Sequence, residues 1–258
     1  MTSVQWAEHS APELREAAAR GAVVILPVAA LEQHGPHLST MVDFRLCTEV
    51  AKRGAELAAT RGTEVLVLPP VWSGMSDHHL PFGGTVSLSF DAFRAVILGI
   101  AQSVRASGFA RLFILNGHGG NVAALSTILQ EAAAIEGLRS AGATYWFLAE
   151  REARAILEDQ TGVRHACEAE TSMMLAVVPD QVRRENMSEA FGGGEATASA
   201  GAPDPVIVWR DFAERSKTGV FGDARRANAQ KGGKLLSACS AALCEALCDP
   251  RTWTKQAP

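Results

Sequence analysis

Four apolar runs, "AVVILPVAA" (22–30), "TEVLVLPPV" (63–71), "ARLFILNG" (110–117) and "GATYWFLA" (142–149), alternate with longer amphipathic segments. Runs that are apolar at nearly every position suit strands covered on both faces, and the alternation predicts βαβ units around a parallel sheet. Helices are predicted at Phe44–Thr60, Asp91–Ser107 and Val122–Glu136. Asp91 caps the second, Gly108 stops it, and Gly137 ends the third. A short helix is predicted from Glu168 until Pro179, and a final one from Ala224 to Leu247 despite Gly232 and Gly233. Between them "EAFGGGEATASAGAPDP" (189–205), small, polar and rich in glycine, reads as a surface loop. No internal repeat is visible, and nothing divides the chain in two, so residues 1–258 are expected to form one α/β domain.

Composition narrows the partners. The chain is 47% hydrophobic and 20% charged with a net charge of −4, which lacks the basic field of a nucleic-acid binder. A small molecule or another subunit is the expected partner, and neither nucleic acid nor membrane. The N-terminus, "MTSVQWAEHSAPELREAAARG", shows no basic-then-apolar signal segment, and no window reaches the roughly 18 apolar residues of a membrane span. A cytoplasmic location is expected. The five cysteines contain no CxxC pair, and their odd number suits a reducing compartment. Cys244 and Cys248, four apart, read first as part of a small-residue packing face and only second as metal ligands.

Polar residues gather where the strands should end. Glu32 and His34 follow the first run, Trp72 to His79 the second, and Asn116 to Asn121 the third. Ligands of open α/β sheets collect at such carboxyl ends. Glu32 and His34 are two apart, so in extended chain both side chains point the same way. Asp43 stands at the mouth of the next helix, and His118 in "NGHGGN" adds a second imidazole. Carboxylate oxygens with imidazole nitrogens suit zinc, manganese or ferrous iron. A lone ExH is weak, but burying several ionisable groups together costs stability unless they share a cation or a network. "NGHGGN" also admits a phosphate cradle, and Gly119 and Gly120 would bring backbone amides near an anionic or carbonyl oxygen. In "RHACEAETSMMLAVVP", Glu168 and Glu170 are about 200° apart on a helical wheel, so only one can face such a site. For Glu168 an exposed first-turn acid complementing the helix dipole is the simpler role.

"EQHGPHLSTMVD", "SDHHLPFGGT", "NGHGGN", "HACEAETS" and a late "TGVFGDARRANAQKGGKLL" together resemble the creatininase family over nearly the whole chain. The resemblance implies a three-layer α/β/α sandwich around a mostly parallel sheet. It also implies a hydrolase with two divalent metal ions, zinc or manganese with ferrous iron possible, and a homo-oligomer, a hexamer in the family. Carried over by position, Glu32 and His118 would bind one metal, His34 and Glu170 the other, and Asp43 would bridge them. His165 would transfer protons. Creatininase itself has a ligating glutamate where this chain has Gly120, which points away from creatinine as substrate and to Glu170 as the replacement. His37, His79, Trp72, Gly119 and Gly120 would touch substrate or support the ligands, with Phe82 as a further wall.

The expected reaction is attack of a metal-activated water on a small, cyclic amide, with His165 passing a proton to the leaving nitrogen. The same family metals would serve a ribonucleotide formamide deformylase, a peptidase or a cyclic-ketone hydrolase. A phosphate-bearing substrate would need a basic pocket, for which Arg45, Arg183 and Arg184 are the candidates. A non-catalytic metal- or phosphate-binding regulator is the alternative outside the family. No G-x-S-x-G elbow supports a serine hydrolase.

Overall fold

The computed structural model describes residues 3–158, 160, 162–192 and 209–254. Its first half runs α1 (Ala11–Ala19), β1 (Val23–Val28), α2 (Val42–Thr60), β2 (Val65–Val67), α3 (Phe90–Ala106), β3 (Arg111–Asn116), α4 (Val122–Ala132) and β4 (Arg139–Thr144). Then follow α5 (Tyr145–Leu148), α6 (Glu150–Ile156), α7 (Glu168–Val177), β5 (Phe191–Gly192), α8 (Phe212–Arg215), β6 (Gly222–Asp223) and α9 (Ala229–Cys248). Four strands make one parallel sheet in the order β2–β1–β3–β4, and β5 and β6 form a small antiparallel pair.

Alternation along the strands splits the core into two layers, one on each face of the sheet. Val23, Ile25, Phe113 and Leu115 pack with Leu46 and Val50 of α2, Met173 of α7 and Leu235 of α9. Val24, Leu26, Leu112 and Ile114 pack with Phe93 and Ile97 of α3 and Ile128 of α4. This is the α/β/α sandwich the sequence predicts. Because α2 carries the chain outward on one face and α3 brings it back across β1 on the other, the winding reverses between β1 and β3. A crevice opens at the carboxyl ends of strands at such a point.

Several boundaries differ from the sequence reading. The run "GATYWFLA" is strand only to Thr144, the last residue with a ladder partner in β3, and then turns helical. The second run pairs only over Val65–Val67 before Pro69 and Pro70, which lack an N–H, and Val71 makes a single bridge to Val28. Ser89, not Asp91, caps α3 by accepting the Ala92 N–H at 3.3 Å. α4 stops at Ala132, four residues early, and α9 starts at Ala229 behind an Asn228 cap rather than at Ala224. Gly232 does not weaken α9: a Cβ there would collide with the Ser172 carbonyl, so glycine lets α9 lie against α7. α1 has no counterpart in the sequence reading, although Ser10 and Glu13 form a capping box with Pro12 in the first turn. Most of the predicted 189–205 loop lies outside the described residues. Among the described residues no helix is long and apolar enough to cross a membrane.

Candidate metal centre

Five side chains from separate parts of the chain meet at the β1–β3 crevice. Glu32 and His34 leave β1, Asp43 occupies the first turn of α2, His118 follows β3, and Glu170 lies in the first turn of α7. Gly117 makes this possible: a Cβ there would sit 2.5 Å from Cys47 Cβ and 3.0 Å from the Asp43 carbonyl, so only glycine lets the exit of β3 pass against α2. All five residues are at most 5% exposed.

The imidazoles are oriented from behind. His34 Nδ1 lies 3.1 Å from the Glu32 carbonyl, which can only accept, so that nitrogen carries hydrogen and Nε2 faces Asp43 Oδ1 at 3.0 Å and Glu170 Oε2 at 3.8 Å. His118 is the mirror case. Its Nε2 donates to the Met75 carbonyl at 3.1 Å, and Nδ1 faces Asp43 Oδ2 at 2.9 Å and Glu32 Oε1 at 3.3 Å. Asp43 thus offers one oxygen to each ring. Both Glu32 oxygens, Asp43 Oδ2 and His34 Nε2 are buried without a hydrogen bond. Pinning the outer nitrogen of a histidine to a carbonyl while the inner one meets carboxylates is how metal-ligating imidazoles are held.

Charge in the cluster is unusual. Burial opposes charging His34, yet Asp43, then Glu170 and Glu32, raise its pKa to about 9. Burial likewise opposes charge on His118, and Glu32 and Asp43 overcome it to lift the ring well above its ordinary value. Asp43 is held well below the usual carboxylate range: burial works against this, and His34 and His118 outweigh it. Burial, reinforced by Asp43 and Glu32, raises Glu170 to about 8 even though His34 and the Ala166 N–H pull it down. Protons therefore hold the cluster together where cations would fit. Three donor sets with ligand atoms within 4.8 Å of one another, Glu32–His34–His165, Glu32–His78–His118 and His34–Asp43–Glu170, have the chemistry of a zinc or manganese site.

A creatininase (creatinine amidohydrolase) family model matches residues 7–247. The chain belongs to the creatininase family. It is 33% identical over 218 residues to a mycofactocin precursor peptide peptidase of Mycobacterium ulcerans, covering 83% of this chain and 80% of the relative. It is 30% identical to the creatinine amidohydrolase of Pseudomonas putida, over 94% of this chain and 93% of that one. A solved structure named "Creatininase Mn" superposes with a TM-score of 0.78 at 27% identity, covering 95% of this chain and 97% of the other. A mutant creatininase of "Zn-Zn type" gives 0.76 at 28% identity with the same coverage. This chain is thus a creatininase-family hydrolase whose structural neighbours are manganese and zinc enzymes.

Around this creatininase-family centre, His165 sits just before α7. Its Nε2 donates to the Gln33 carbonyl at 2.8 Å, leaving Nδ1 turned to Glu32 Oε1 at 3.4 Å. Burial pushes the ring well below its ordinary pKa, and the neighbouring His34 and His79 add to that. Ala166, with φ of 52°, is the described non-glycine residue in the left-handed region, and its N–H donates to Glu170 Oε2 at 2.6 Å. That strained turn brings His165 and Glu170 to one centre. His79 receives the Gln33 amide on Nδ1 at 2.8 Å and presents Nε2 to Glu32 Oε1 at 3.4 Å. His37 is fully buried on Thr171 Oγ1 at 2.7 Å and does not line the cavity.

The cavity above the centre measures about 200 Å3 and is walled by Trp146, Phe212, Arg164, Gly119 and Gly120 among others. Trp72 is half exposed and does not line it, nor does Phe82, which instead packs edge-on to Phe212 at 6.4 Å. Arg45 pairs with Glu49 at 3.5 Å, Arg183 and Arg184 are exposed, and none of the three lines this cavity. The donor sets among the described residues include no cysteine.

Glu168 corrects the sequence reading. It is fully buried rather than a solvent-facing acid, receiving Lys231 Nζ at 2.5 Å and the Glu158 N–H at 3.3 Å, on the side of α7 away from His34. Gln33, His78, Trp146 and Phe212 went unassigned in the sequence reading. Gln33 and His78 were signalled by their place inside the "EQHG" and "SDHH" motifs, whereas the two aromatics reach the cavity only through chain folding.

Proposed function

We propose that this chain is a two-metal amidohydrolase cleaving a C–N bond in a small, cyclic amide. The observation that carries the reading is the meeting of buried, hydrogen-bond-free oxygens of Glu32 and Asp43 with imidazole nitrogens pinned from behind. Glu32 and His118 would hold one ion, His34 and Glu170 the other, with Asp43 between them. Divalent ions in this place supply Lewis acidity for the carbonyl and lower the pKa of water toward neutrality.

The protein groups do the rest. Burial keeps His165 neutral with Nδ1 open toward the centre, where it takes a proton from the attacking water and returns it to the departing nitrogen. The water oxygen bonds to the carbonyl carbon, the C–N bond breaks, and the nitrogen leaves protonated. Gln33 fixes His79 so that its Nε2–H is turned toward Glu32 Oε1 at 3.4 Å. Trp146 and Phe212 limit water around the substrate.

Peptide cleavage is the second reading. It is favoured by the kinship to peptidases and by Gly119, where a Cβ would meet nothing within 4 Å, so that wall stands open to an extended chain. A hydrolysis screen of metal-loaded protein over cyclic amides, hydantoins, formamides and short peptides, with metal analysis of the same sample, tests both. Two ions per chain, turnover lost on chelation and regained with zinc or manganese, and preference for a cyclic amide are expected. Full activity with at most one ion would overturn the two-metal reading, and preferred cleavage of peptides would replace the cyclic amide with the second.

A further inference from the structure

His78 belongs to none of the roles above, yet it reaches the same centre from the third strand end. It lies in the short 3-10 segment Asp77–Phe82 after β2 and lines the cavity. One of its ring nitrogens falls within 4.8 Å of ligand atoms of both Glu32 and His118. Its Nδ1 is buried without a hydrogen-bond partner. Leaving a buried ring nitrogen unpaired costs about 1–3 kcal/mol, so a ligand for that ring is to be expected.

The surroundings hold the ring in place. It stacks on His118 with centroids 5.8 Å apart and 15° between planes, leans on His79 at 4.3 Å, and meets Trp209 edge-on at 5.8 Å. Gly120 creates the space: a Cβ there would collide with the Met75 carbonyl and His118 Nε2 and come within 2.9 Å of His78 Cε1. The absence of a side chain at position 120 is thus a condition for two imidazoles to stand side by side next to Glu32.

We infer that His78 is a further protein ligand of the ion held by Glu32 and His118, so that, with Asp43 shared, this position has two imidazoles and two carboxylates while the His34–Asp43–Glu170 position has one imidazole and two carboxylates. The inference rests on the two-metal reading above. Ligands of one zinc ion at about 2.0–2.2 Å from the metal stand roughly 3–4 Å apart, a separation that falls inside the 4.8 Å limit these atoms meet. The richer nitrogen set tilts the Glu32–His118 position toward zinc and leaves the other more tolerant of manganese.

The test measures binding, not turnover. Metal-free wild type, His78→Ala and His78→Gln are titrated with zinc against a chromophoric chelator, and the cobalt forms are compared by visible absorption. In wild type two zinc ions are expected. In both variants one zinc affinity should fall by more than the roughly 10–100-fold that loss of a mere orienting partner causes. The other should stay within about twofold, since that position keeps all its ligands. The cobalt spectrum of one ion should change, and added imidazole should restore it in His78→Ala. Unchanged zinc affinities and spectra, equal weakening of both positions, or a spectrum that imidazole does not restore would each overturn the assignment. Failure of wild type to bind two ions would instead sink the two-metal reading beneath it.

Discussion

At the residue scale the side chain that most needs testing is His165. Its Nε2–H is committed to the Gln33 carbonyl, so a single nitrogen, Nδ1, is turned toward the centre. If that nitrogen moves protons, His165→Ala should lower kcat by roughly 10²–10⁴-fold while two ions per chain remain, as metal analysis of the purified variant would show. An ion lost with the ring would make His165 a ligand, a role its place beside Glu32 and His34 also permits geometrically. Glu170 offers the complementary case. Its carboxyl stands 3.8 Å from His34 Nε2, and Glu170→Gln should weaken one of two ions and remove most hydrolysis, because an amide is a poorer, uncharged ligand. Two ions retained at wild-type affinity in that variant would exclude Glu170 from the set.

At the scale of elements, α7 is fixed from behind by α9. Lys231 Nζ reaches Glu168 at 2.5 Å, Glu158 at 2.6 Å and the Arg226 carbonyl at 2.8 Å, tying together the N-terminus of α9, the end of α6 and the first turn of α7. His165 and Glu170 flank Glu168 in sequence, so this pair anchors the segment that carries them. Lys231→Met should strand a buried carboxylate and cost about 3–5 kcal/mol in a denaturant melt, whereas adding Glu168→Leu should recover most of the loss. A single-variant cost below about 1 kcal/mol would show the pair to be dispensable. A dipole role for Glu168 alone would leave Lys231→Met without that cost, so the melt discriminates between the two accounts.

Across the whole molecule, protons and metal compete for one cluster. With His34 at about 9 and Glu170 at about 8, both groups hold protons at neutral pH when no metal is bound. An incoming ion must expel them, so metal affinity should rise as pH climbs from 7 to 9 and fall on the acid side, by up to about tenfold per pH unit for each proton displaced. Calorimetry at one pH in two buffers of different ionisation heat should show proton release on binding, and its absence would refute the shared-proton account. Since these residues follow β1 and β3 or lie in α2 and α7, bound ions would also tie together elements far apart in sequence. At a free concentration of 100 times Kd each site should add about 2.7 kcal/mol to stability, read as a concentration-dependent Tm.

The chain's own pattern determined the parallel sheet, the two covering layers, and the gathering of Glu32, His34, Asp43 and His118 at strand and helix ends, whereas the choice of Glu170 over Glu168 came from the family resemblance. Periodicity and strand-end polarity are local properties, visible wherever the burial of a run is complete. Tertiary structure decided the rest. Where "GATYWFLA" stops being strand depends on the length of its neighbour β3, and that in turn sends Trp146 to the cavity. Whether Glu168 meets water depends on a lysine 63 positions away in the chain. Which nitrogen each imidazole turns inward depends on carbonyls of Glu32, Gln33 and Met75. Burial, partner and tautomer are set by neighbours distant in sequence, and a periodicity reports only the neighbours it repeats with.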